Sequence, residues 1–158
     1  MNENLLWLLG LPKGLIDHLL DYNPLAILAY RVQTAKYWQS SPISQRNIIP
    51  LWECGTTLTY FDQASATYRR CSLEDINSDW FKYRSLQAVL TRLLIDLYED
   101  ELPEVQLLFV AKQIGFGNAE QLLDEARAQN PATYPAWCEA FPLANEAQHL
   151  VLPHSSAE

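Results

Sequence analysis

With 158 residues, 49% of them hydrophobic and 19% charged, the chain has the composition of one folded globular domain that can bury its core without disulfides. Its formal charge of −8 is unevenly spread: residues 1–92 hold nine Lys/Arg against eight Asp/Glu, whereas residues 93–158 hold two against eleven. Direct nucleic-acid binding is disfavoured, since phosphate contact needs a basic face, and a protein partner with a basic surface is favoured.

The N-terminal apolar stretch has no positive side chain ahead of it and no small-residue cleavage pattern, and Gly10, Pro12, Lys13 and Gly14 interrupt residues 5–16. The expectation is therefore a cytoplasmic chain with neither signal peptide nor membrane span. Residues 4–11 predict a short Leu-rich helix ending near Gly10, and residues 11–14 a turn. Residues 15–21 predict a second helix, with Leu15, Ile16, Leu19 and Leu20 inside and Asp17, His18 and Asp21 outside. Residues 25–30 are an apolar run in which helix and strand are not separable by period. From 32 to 44 Ser, Gln and Pro accumulate, and Tyr37 and Trp38 are expected to close over a sheet edge.

The centre of the sequence is an antiparallel meander. Residues 47–53 (NIIPLWE), Thr57–Asp62 (TLTYFD) and Thr67–Ser72 (TYRRCS) are β-branched and aromatic, joined by Cys54-Gly55-Thr56 and by the short loop 63–66. Pro50 cannot donate to a ladder, so its strand lies at an edge or bends beside a bulge. Residues 73–80 read as a polar connection. Ser85 is an N-cap for a helix to about residue 100, whose stripe Leu86, Val89, Leu90, Leu93, Leu94 and Leu97 should lie on the sheet, each side chain contributing about 1.5–3 kcal/mol on burial.

Pro103 opens the next helix, 104–114, which is apolar almost all round and is expected to be buried between layers. Gly115-Phe116-Gly117 stops it. Asn118 and Gln121 approach a capping box for a helix with Leu122, Leu123 and Ala126 inward. Beyond Asn130-Pro131, the Pro-broken segment 134–142 predicts an irregular aromatic wrap. Residues 1–150 form a single expected domain and 151–158 a frayed tail.

Chemistry-bearing patterns are sparse. Cys54, Cys71 and Cys138 are an odd count without CxxC spacing, which favours buried thiols, although Cys54 and Cys71 would sit close if their strands were neighbours. His18, His149 and His154 show no metal-ligand or catalytic spacing, and no metal or cofactor is expected. Glu53 and Asp62 flank the hairpin and are the minimum for paired acid/base work; they are read first as strand-end and turn-capping groups. Asp96, Glu99, Asp100, Glu101 and Glu104 form an acidic run, read either as a solvated helix end or as a surface that steers a basic partner.

The order Ile-Ile-Pro-Leu-Trp-Glu-Cys-Gly, then Thr-Leu-Thr-Tyr-Phe-Asp, a short turn and a further strand resembles the core of the SUKH superfamily, the Smi/Knr-like proteins. In that family an Ile-Pro step, a small or Gly-bearing turn and a Tyr/Phe-Asp strand end recur, followed by helices. The resemblance spans about residues 43–126, and departs from it where Glu53-Cys54-Gly55 replaces the Asn/Asp-Gly pair of many members. It implies an α+β fold, with an antiparallel sheet of three or more strands built on residues 46–72 and covered by helices. Many bacterial members look like immunity proteins that neutralise secreted toxins, often nucleases with basic clefts. On that view this chain is a non-enzymatic immunity protein for a cognate toxin, Asp96, Glu99, Asp100, Glu101 and Glu104 stand in for phosphates, and Glu120, Asp124 and Glu125 extend the face. Trp52 or Tyr60 would be an anchor. The alternatives are an intracellular scaffold or regulatory binding module of the same fold, and a small hydrolase using Glu53 and Asp62.

Overall fold

The four strands β1 (Ile48–Cys54), β2 (Thr57–Asp62), β3 (Thr67–Ser72) and β4 (Asp79–Tyr83) pair antiparallel in the order β1-β2-β3-β4. This computed structural model describes residues 2–150, with side chains to residue 146. The fold is α+β, and the described residues contain six α-helices: α1 (Glu3–Leu8), α2 (Lys13–Leu19), α3 (Leu86–Glu99), α4 (Glu104–Gln113), α5 (Ala119–Ala128) and α6 (Tyr134–Leu150).

The meander follows from its turns. Gly55 adopts φ +56, a left-handed conformation that its missing Cβ permits, and so closes the two-residue link between the paired Cys54 and Thr57. The β2–β3 loop is held by Asp62, whose Oδ1 accepts from the Ala64 amide at 3.0 Å. Pro50 satisfies both expectations for it: β1 is an edge strand, and its register shifts between Pro50 and Trp52. Gln33 bridges β1 from outside, exchanging backbone hydrogen bonds of 2.8 and 2.9 Å with Glu53.

The fourth strand departs from the predicted polar connection over 73–80. Only Phe81 and Tyr83 of β4 point inward, so its alternation is too short to stand out beside Asn77, Ser78 and Asp79. Cys54 and Cys71 lie on β1 and β3 with β2 between them, and all three cysteines are free.

One face of the sheet carries Trp52, Tyr68, Phe81 and Tyr83 into a core that runs from Leu6 to Phe141. Its other face holds Leu58, Tyr60 and Cys71 against Ala35 and Ile43 from the irregular segment before β1. Ser85 caps α3 as predicted, its Oγ accepting from the Ala88 amide at 3.2 Å. The helix is buried on more than its predicted stripe, because Ala88, Thr91, Ile95 and Asp96 are covered as well. It packs against β4, α4, α5 and α6.

That central position of α3 explains why α4 is peripheral. Leu107, Val110 and Ala111 face inward, but Val105 is 79% and Phe109 50% exposed, so an apolar circumference does not make α4 a buried helix. Segment 134–142 is likewise not an irregular wrap but the first half of α6. Pro135 sits in the first turn, where its missing N–H is harmless, and Pro142 is accommodated inside the helix while Trp137, Cys138, Phe141 and Asn145 pack inward.

Asn118 makes no side-chain cap on α5, and Gln121 instead donates to Glu125 at 2.9 Å. His18 faces inward rather than outward: its Nδ1 accepts from the Leu25 amide at 2.9 Å, so Nε2 donates to the Val32 carbonyl at 2.7 Å. The predicted tail 151–158, with His154, lies outside the described residues, as does the side chain of His149. No helix among the described residues is long and apolar enough to cross a membrane.

Candidate functional site

The acidic run at the end of α3 does not form one continuous acidic face. Asp96 is 3% exposed and accepts from two guanidiniums, Arg70 Nη1 at 2.6 Å and Arg92 Nε at 2.9 Å. Arg70 comes from β3, donates through Nε to Thr59 at 3.2 Å and lies 5.0 Å from the Phe81 ring centroid. A buried carboxylate is tolerable only when paired and hydrogen-bonded, and here two cations share it. Asp100 accepts two hydrogen bonds from Arg31, one of 2.6 Å from Nε, and this contact holds its carboxyl below the usual carboxylate range.

Glu99 remains looser, 3.6 Å from Arg92, and Glu104 pairs with Arg127, which also meets Asp124 at 3.0 Å. Glu101 is exposed and forms no ion pair among the described residues. It holds φ +60 just after the C-terminus of α3. Glu120 is exposed, and Glu125 accepts from Gln121 and, at 3.3 Å, from the Trp137 indole. The counter-charges Arg31, Arg70 and Arg92 all come from the balanced first 92 residues; Arg31 and Arg70 reach Asp100 and Asp96 from 69 and 26 positions earlier, and Arg92 from the preceding turn of α3.

These charges line a cleft of about 270 Å³ between β3, β4, α3 and α6, with Arg70, Tyr83, Arg92, Asp96, Glu99 and Glu139 on its walls. A recess of about 360 Å³ shares Arg31, Arg70, Trp80 and Asp96 with it and reaches Tyr30 and the β1–β2 turn. Trp80 and Tyr30, 58% and 65% exposed, stand at the mouth. Burial pushes the Tyr83 hydroxyl up to about 12, with Arg92 opposing and Glu139 reinforcing the shift. Burial alone would lower Arg92, but Asp96 and then Glu99 raise it, so it stays charged.

The other predicted constellations dissolve. Glu53 and Asp62 sit at opposite ends of the β1–β2 ladder, paired with Leu58 and Ile48 respectively, so they make no acid/base couple. Glu53 is buried and accepts from the amides of Lys36, Tyr37 and Trp38 at 3.1, 3.2 and 2.8 Å, fastening a 3-10 turn to the sheet edge. Trp52 and Tyr60 are fully buried core groups and are unavailable as anchors. Sequence pattern does not single out the exposed aromatics Tyr30 and Trp80, which lie in an ambiguous apolar run and at the end of a polar connection. Among the described residues no three His, Cys, Asp or Glu side chains cluster to hold a metal. Compared with family models, curated proteins and solved structures, the chain matches none.

Proposed function

We propose that the chain is an immunity-type binding protein that docks one toxin with a basic surface and blocks its active site or substrate access. The observation that carries this reading is the exposed Trp80, which with Arg31 and Arg70 lines both the cleft that holds Glu99 and Glu139 and the recess that holds the exposed Tyr30. Trp, Tyr and Arg are the residues that most often dominate binding energy at protein interfaces. The formal charge of −8 adds long-range attraction for a basic partner, which raises association rate more than it deepens affinity. Within the predicted acidic run, Glu99 and Glu101 carry recognition, Asp100 and Glu104 contribute from within their ion pairs, and Asp96 serves the scaffold. The resemblance to SUKH proteins supplies the toxin as the class of partner.

The test is affinity capture from the producing cells, followed by expression of each recovered protein alone and together with this chain. A basic partner that arrests growth alone, is relieved by co-expression, and is held less tightly by Trp80→Ala at rising salt supports the proposal. A harmless regulatory partner would replace it with the scaffold reading.

A further inference from the structure

The charges around the cleft do not balance. Four carboxylates (Asp96, Glu99, Asp100 and Glu139) meet three guanidiniums (Arg31, Arg70 and Arg92). Arg31 is committed to Asp100, and both Arg70 and Arg92 to Asp96. Glu99 and Glu139 are left at 3.6 and 4.0 Å from Arg92, beyond hydrogen-bond length, with side chains 38% and 73% exposed, and Glu99 accepts only a weak hydrogen bond from the Cys138 thiol at 3.8 Å.

A second group is unspent in the same place. Tyr83 is 3% exposed and lines the cleft, and its hydroxyl makes no hydrogen bond among the described residues. Trp80 supplies a half-exposed indole on the same wall. At about 270 Å³ the cavity has room for a single long side chain.

We infer that this cleft receives one arginine side chain of the protein partner. Its guanidinium completes the charge balance between Glu99 and Glu139, donates to the Tyr83 hydroxyl, and stacks on Trp80. A planar guanidinium is favoured over an ammonium because it bonds two carboxylates in one plane while presenting a face to the indole. The inference rests on the proposed binding function and names the group recognised there.

The test is a two-dimensional amide and indole NMR titration of the full chain with N-acetyl-Gly-Arg-Gly-amide, beside the peptide in which citrulline replaces arginine. Citrulline keeps the shape and removes the charge. Saturable shifts centred on Trp80 and Tyr83, with the arginine peptide at least about tenfold tighter, are expected. Glu99→Gln with Glu139→Gln should weaken binding at least about tenfold, whereas Asp21→Asn with Glu74→Gln, an equal change of net charge at exposed carboxylates that do not line the cleft, should not. Equal binding of citrulline, equal loss in the control pair, shifts mapping elsewhere, or no response up to about 50 mM peptide would each overturn the inference. Capture of a toxin without the peptide response refutes the arginine site alone, and a peptide response without any toxin refutes the proposed function alone.

Discussion

Replacing Asp96 by Asn removes one charge and almost no volume, and it isolates the energetic role of the carboxylate under the cleft. In the native protein the Asp96 and Arg70 side chains are 4% and 8% exposed and 2.6 Å apart, while Arg92, at 20%, retains access to solvent. After the substitution Arg92 can turn outward toward Glu99, but Arg70 is fixed over Phe81 and beside Thr59 with its charge uncompensated. Breaking one partner of a buried pair costs about 3–5 kcal/mol, a large share of the roughly 5–15 kcal/mol that holds a domain together. Urea unfolding followed by tryptophan fluorescence should show a midpoint lowered accordingly. Arg70→Met with Asp96→Leu should recover most of the loss, since removing both charges removes the desolvation penalty too. Lys13→Ala, which breaks an ion pair whose lysine is 73% exposed, is the internal control and should cost no more than about 0.5 kcal/mol. An Asp96→Asn protein within about 1 kcal/mol of the native one would refute the argument that this carboxylate neutralises Arg70.

Three further outcomes are expected. Gly14→Ala should lower stability by about 1–3 kcal/mol in thermal or urea unfolding, because the new Cβ would lie 2.1 Å from the Gln113 carbonyl oxygen at the end of α4. Glu101→Gly should raise stability by about 0.5–1 kcal/mol in urea unfolding, as glycine occupies the left-handed conformation after α3 without strain. The Asp100 carboxyl is depressed in the folded state from its ordinary 3.8, so its contribution is present above that pH and is lost as pH falls through the lower folded value. Acid unfolding of Arg31→Ala should therefore show a shallower loss of stability below about pH 4 than the native chain, and an identical slope would exclude the pair as its source.

Sequence pattern was most informative where local chemistry decides structure. β2 and β3 occupy the predicted residues, and Ser85 caps α3, because turn residues, β-branching and a capping hydroxyl act over a few positions. It misled where a residue's role depends on what packs beside it. Prolines 135 and 142 suggested broken chain, yet one fits a first helical turn and the other is outweighed by the inward packing of Trp137, Phe141 and Asn145. The apolar circumference of α4 says nothing about how many of its sides find neighbours. Asp96 shows the limit most directly. Its place in an acidic run implies solvent, whereas Arg70, 26 positions earlier on β3, pairs with it in the interior. The aromatic mouth of the cleft was equally inaccessible to pattern, being assembled from residues 30 and 80 with no shared period.

The nearest-neighbour order of the sheet also governs how the chain assembles. Each strand pairs with the next in sequence across a short connection, so the meander involves small losses of chain entropy and can form ahead of the remainder. The link beside the cleft, Arg31 to Asp100, joins residues 69 positions apart, so its closure carries a larger loss of chain entropy. The cleft, drawn from residues 31 to 139, is thus complete only in a chain that includes α6.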